Sequence, residues 1–160
     1  MRFKNGYFWI AAIISLLLDW ITKYWVMQNF SLGETRPLWS GVFNLTYIMN
    51  HGAALGLFRN GGGWLRWLSL GVSLFLIALA WLGPSLSRWE QLGYGLILGG
   101  ALGNGIARFI AGGVTDFLDF RPLQFPWVFN LADVFIDIGI ACLLLASFQK
   151  APPSNRRSTR

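Results

Sequence analysis

Two of the seven acidic residues, Asp116 and Asp133, bracket the stretch DFLDFRPLQFPWVFNLAD between two strongly apolar segments. Two carboxyl groups brought close together in a low-dielectric site cannot easily both ionise, so one pKa rises and the pair keeps a shared proton near neutrality. The ionised member can then draw a proton from water while its protonated partner hydrogen-bonds a carbonyl. Paired aspartates cleave amides in this way, and the scheme calls for no metal, cofactor or covalent intermediate. Asp133 alone has a plainer use, as an acid favoured by the dipole at a helix N-terminus. Asp119 is expected in a solvated loop or as a cap.

Other chemistries have less to build on. His51 is the single histidine and Cys142 the single cysteine, so no zinc set can be assembled and no internal disulfide can form. The glycines of GLILGGALGNGIARF, residues 95–109, lie within an apolar run and lack the strand context and Lys-Ser/Thr ending of a nucleotide loop. Gly99 and Gly103 instead form a small-xxx-small pair that lets a second helix approach closely. The net charge of +6 is expected to serve an anionic membrane surface rather than nucleic acid.

The elements that position these residues follow from composition. With 160 residues, 54% of them hydrophobic and 12% charged, the chain reads as one integral membrane unit. Runs of about 20 apolar residues are long enough to span, and four occur, over about 7–27, 64–82, 92–111 and 129–148. The first is expected to remain as an anchor rather than be cleaved as a signal peptide. Arg2 and Lys4, then Arg88, then Lys150, Arg156, Arg157 and Arg160 fall on one side of this arrangement, so both termini are expected in the cytoplasm. Trp25, Trp64, Trp67, Trp81, Trp89 and Trp127 lie near span ends, where amphipathic rings prefer to sit.

Between the first two spans, FNLTYIMN at 43–50 mixes β-branched and aromatic residues. One or two short strands are expected there, within an outer platform over about 35–59. The stretch NGGGW reads as a turn into the second span. The membrane unit is expected over 1–149, with a disordered cytoplasmic tail over 150–160.

Ionisable residues inside spans are candidate functional groups by default. Asp19 and Lys23 stand four apart on one helical face and can pair. Asn104 and Arg108 repeat that spacing near the outer end of the third span. Antiparallel helices joined by a short connection are neighbours, so Asp116 and Asp133 are expected in one layer near the outer leaflet.

Five blocks in order, DWITK (19–23), NHGAALG (50–56), GGALGNGIAR (99–108), VTDFLDF (114–120) and FNLAD (129–133), make the chain resemble the lipoprotein signal peptidase family, bacterial signal peptidase II, over nearly its whole length. The resemblance implies an α-helical integral membrane protein with four transmembrane helices, a small extracytoplasmic β-cradle and a mobile surface helix. It implies an aspartic endopeptidase of the inner membrane that cuts diacylglyceryl-modified prolipoproteins on the amino side of the lipidated cysteine. Asp116 and Asp133 match the catalytic aspartates. Asp19, Lys23, Asn50, Gly52, Gly99, Asn104, Arg108, Asn130 and Ala132 match residues that line or support the pocket. Membrane lipids and the peptide inhibitor globomycin are the other implied partners, and action as a monomer is expected.

The chain departs from the family pattern in three places. Ala107 stands where an aspartate is usual, leaving Arg108 short of a partner; Leu55 replaces an aromatic residue. Asp137 stands where a neutral residue is usual, and is expected to restore part of the charge balance lost at position 107. An impaired homologue is one alternative reading. A small proton- or ion-coupled carrier is another, but it would spread acids along a path through the bilayer, and a non-enzymatic assembly factor is a third.

Overall fold

The structure, a computed structural model, describes residues 4–52 and 62–149. Four long apolar helices form its frame: α1 (Gly6–Asn29), α2 (Leu65–Leu82), α3 (Arg88–Ala111) and α4 (Leu131–Gln149). The four expected spans coincide with them apart from two shifted starts. Helix α3 begins earlier because Ser87 and Glu90 form a capping box, with Ser87 Oγ accepting from the Glu90 amide and the Glu90 carboxylate from the Ser87 amide. That polar first turn is invisible to a search for apolar runs. Helix α4 begins later because Val128 and Phe129, though apolar, belong to a strand.

Helix α3 lies at the centre and packs on all three others. Its glycines make this possible. A Cβ at Gly99 would collide with Ser15 Oγ and lie 2.6 Å from the Ala12 carbonyl oxygen of α1, and one at Gly103 would collide with the Asp19 carboxylate. On the opposite side, Gly93 of α3 and Gly139 of α4 face each other, each leaving no room for a Cβ on the other. The expected small-residue contact is therefore present and faces α1. Phe8, Ala12, Leu76, Ala80 and Leu98 fill the space between α1, α2 and α3. Large apolar side chains such as Ile21, Trp67, Phe75 and Trp81 point outward, as a helix bundle solvated by lipid requires.

A four-stranded antiparallel sheet crosses one end of the bundle in the order β1 (Thr35–Trp39), β2 (Phe43–Asn50), β3 (Val114–Asp119), β4 (Val128–Phe129). Strands β1 and β2 lie in the platform expected from the sequence. Strands β3 and β4 come from the segment between the third and fourth spans, where only a loop was expected. Gly112, in the left-handed region at φ +71°, ends α3 and turns the chain into β3, a conformation that favours glycine. Phe117 packs with Val26 and Phe30 at the end of α1, anchoring the sheet to the bundle. The surface helix is not among the described elements. Residues 53–61 and the expected tail at 150–160 lie outside the described residues, as does Leu55.

Of the two uses expected of Asp119, the cap is present in its bond from the Arg121 amide, and the solvated loop is corrected. The side chain is fully buried, accepts two hydrogen bonds from the Arg121 guanidinium at 2.8 and 2.7 Å, and accepts another from Thr46 Oγ1 at 2.5 Å. The guanidinium beside it holds its carboxyl down to about 2. It clamps β2 to β3 and the turn that follows.

Two outcomes follow from these contacts. Gly99→Val should wedge α1 from α3 and cost about 1–3 kcal/mol, read as a lower Tm in detergent; an unchanged Tm would mean the helices can separate freely. Asp119→Asn should cost about 2 kcal/mol at neutral pH. Because the folded carboxyl lies below its usual value, that contribution is fully present above pH ~4 and is lost as pH falls toward ~2. The Tm gap between wild type and variant should therefore close over that range; a gap constant with pH would count against the clamp.

Candidate active site

Asp116 lies on β3 opposite Ile48 of β2, and Asn50, two residues along on the same face, reaches it diagonally. Asn50 Nδ2 donates to Asp116 Oδ2 at 2.9 Å, and Asn50 Oδ1 accepts from the Gly52 amide at 2.9 Å. Asp133 is the third residue of α4. Asn130 immediately precedes the helix, and the two residues exchange bonds: the Asp133 amide donates to Asn130 Oδ1 at 3.1 Å and the Asn130 amide to Asp133 Oδ2 at 3.2 Å. This is a capping box built from Asn and Asp. The helix-start reading and the dyad reading of Asp133 thus describe the same side chain.

Asn130 also joins the two acids. While its backbone holds Asp133, its side-chain Nδ2 donates to Asp116 Oδ1 at 2.6 Å and to Asn104 Oδ1 at 3.1 Å. Asn104, on α3, donates from Nδ2 to Asp133 Oδ1 at 2.8 Å, so its carbonyl must face the donors. Lys23 Nζ supplies another, at 2.7 Å from Asn104 Oδ1, and pairs with Asp19 Oδ2 at 2.7 Å. Asp19 Oδ1 in turn accepts from the Ala132 amide at 2.9 Å, satisfying one free N–H of the first turn of α4. The expected Asp19–Lys23 pair therefore forms and reaches across to two other helices.

Asp116 and Asp133 line one cavity of about 470 Å³ together with Asn50, Arg108, Asp137 and several apolar residues. Asp116 is 1% exposed. Burial, reinforced by the nearby Asp133 charge, pushes its carboxyl up to about 7 despite the bonds from Asn50 and Asn130. Arg108 projects into the cavity with little to hold it: its amines approach the carbonyls of Asn104 and Gly52 at 3.4 Å, and its buried Nε has no partner among the described residues.

The remaining expected site residues divide by position. Gly52 borders the cavity through its bonds to Asn50 and Arg108. Asp19, Lys23 and Ala132 support it from behind, and Gly99 packs on α1. Ala107 lines a separate, apolar groove with Lys23, Tyr24, Met49 and Thr115, so it does not share the cavity of Asp137. The sequence reading missed the strand that carries Asp116, although Val, Thr and Phe in VTDFLDF are a strand signal. It also missed the apolar wall from Phe125 to Phe129.

The sequence profile of signal peptidase (SPase) II matches residues 11–149. Proteins named lipoprotein signal peptidase from Trichormus variabilis and from a Nostoc species are each 66% identical, over 99% and 98% of this chain and 99% of their own. A third, from Gloeobacter violaceus, is 54% identical over 93% of this chain and 86% of its own. Among solved structures, a bacterial membrane enzyme superposes with a TM-score of 0.83 at 24% identity, covering 100% of this chain and 98% of the other, a likeness of fold. A second, also a bacterial membrane enzyme, gives 0.80 at 25% identity, covering 94% of this chain and 99% of the other. With four spanning helices under a small sheet and a family profile that extends over nearly the whole chain, this protein belongs to the signal peptidase II family of aspartic proteases.

Proposed function

We propose that this chain removes signal peptides from diacylglyceryl-modified prolipoproteins, cutting on the amino side of the lipidated cysteine with Asp116 and Asp133. The observation that carries the reading is the double hold of Asn130, whose side chain bonds one carboxylate and whose backbone bonds the other within one cavity. The positive-inside bias supports both termini in the cytoplasm and the sheet end at the outer face of the inner membrane. The acyl chains of the substrate would then stay in the bilayer throughout. Action as a monomer and inhibition by globomycin belong to the same proposal.

The chemistry follows from the shared proton. The ionised carboxylate takes a proton from water as the oxygen attacks the scissile carbonyl, and the protonated carboxyl donates to that carbonyl oxygen. A neutral gem-diol results, with the proton exchanged between the two acids. On collapse, one diol hydroxyl returns its proton to a carboxylate, and the other acid protonates the cysteine nitrogen as the C–N bond breaks. The pair ends with one proton, as it began. Asn50, Asn104 and Asn130 orient the carboxyl oxygens, and Asp19 and Lys23 hold Asn104 and the start of α4. Arg108 is the cation that lines this cavity, available to a developing oxyanion.

Asp116→Asn and Asp133→Asn should each lower cleavage of a diacylated prolipoprotein by roughly 10³-fold, seen on a gel as loss of the shortened product that globomycin also blocks. Residual cleavage near the wild-type rate in either variant would remove the dyad from the mechanism. With Asp116 raised to about 7, the pair keeps its proton below that pH and loses it above. We therefore expect kcat/KM to fall as pH rises through about 7; a profile flat to pH 9 would exclude a protonated partner.

A further inference from the structure

Asp137 lines the same cavity as the dyad, one helical turn along α4 from Asp133. The i, i+4 spacing puts both on one face, about 6 Å apart along the axis. Unlike every other acid of the spanning helices, Asp137 makes no hydrogen bond and no ion pair among the described residues. Its neighbours on the cavity wall include Val134 and Ile136, and Arg108 lines the same cavity without pairing to it. A carboxyl group within a spanning segment is costly unless something meets it. Here the side chain is exposed where it lines the cavity, the space a substrate would occupy.

Resting on the peptidase reading, the direction of the substrate sets what arrives there. Asp137 lies deeper along the helix than Asp133, toward the middle of the bundle. The apolar part of a signal peptide precedes the scissile bond and remains in the bilayer, so the chain passing Asp137 is the part just before the cut. At about 3.3 Å per extended residue, a 6 Å offset corresponds to about two residues. The diester of a diacylglyceryl group offers only acceptors, whereas a side chain two residues before the cut can offer a donor. A carboxyl group in an apolar wall discriminates strongly between a side chain that donates to it and one that leaves it unpaired.

We infer that Asp137 is a specificity-determining residue, whose carboxyl accepts a hydrogen bond from a hydroxyl-bearing side chain about two residues before the scissile bond. The enzyme then prefers Thr or Ser there over their isosteres Val or Ala.

The test uses full-length protein in detergent and four diacylated prolipoprotein peptides carrying Thr, Val, Ser or Ala at the second residue before the cut, with a parallel set varied at the third. Wild type should favour Thr over Val and Ser over Ala at one of these positions by roughly tenfold or more in kcat/KM. Asp137→Val should bring the ratio to one or below, and Asp137→Asn, which keeps an acceptor oxygen, should retain part of it. A wild-type ratio near one at both positions would overturn the inference, as would a preference that persists in Asp137→Val or a variant that slows all peptides equally. Cleavage of the other peptides keeps the peptidase reading intact in those cases, whereas a wild type that cuts none of them would sink that reading and this inference together.

Discussion

The proposed site depends on one constraint: two acids must lie in one cavity and still keep a proton. Burial alone drives a carboxyl toward the neutral form, and a cation in direct contact would drive it back toward the charged form. The side-chain donors in direct contact with Asp116 and Asp133 are neutral amides, those of Asn50, Asn104 and Asn130. The two cations stand one step away. Lys23 is occupied by Asp19 and touches the dyad only through Asn104, and Arg108 is bonded to backbone carbonyls. Amide donors orient the oxygens without supplying the full charge that would strip the pair of its proton.

Satisfying so many polar atoms within an apolar bundle demands close approach of the backbones. The glycines of α3 provide it. With Gly99 against Ser15 and Gly103 against Asp19, α1 lies near enough for the Asp19 carboxylate to pass α3 and cap the Ala132 amide of α4. A larger residue at 103 would occupy the position of that carboxylate. The glycine stripe and the polar network are therefore one device: packing fixes the distance, and the hydrogen bonds use it. This also separates Gly99 from the residues proposed to meet substrate, although both kinds fall within the same sequence block.

Much of this was legible in the chain. Spanning length fixed four helices, because lipid leaves few alternatives to a satisfied backbone helix. The pairing of Asp19 with Lys23 followed from helical spacing, and the nearness of Asp116 to Asp133 from the short connection between neighbouring helices. The strand carrying Asp116 was not read, because its partner on one side lies far away in sequence, Asp116 opposite Ile48, and its partner on the other, with Leu118 opposite Phe129, is only two residues long. Such pairings leave only a composition signal. Asp137, expected to restore part of the charge balance lost at position 107, lines the cavity with Arg108, whereas Ala107 does not. Consecutive helical residues diverge by about 100°, and Ala107 accordingly faces a different groove from Arg108.

The contrast within β3 makes the governing effect explicit. Asp116 and Asp119 lie three residues apart on one strand, and both are almost wholly buried. One is pushed up to about 7 and the other held down to about 2. Burial opposes ionisation in both, so it cannot explain the difference. What differs is the partner: a bidentate guanidinium and a hydroxyl for Asp119, two amides and a second carboxyl for Asp116. The first acid is held charged at neutral pH and serves as a clamp between strands. The second can exchange a proton near neutrality, which is the property a hydrolytic dyad requires and which neither its residue type nor its strand could supply alone.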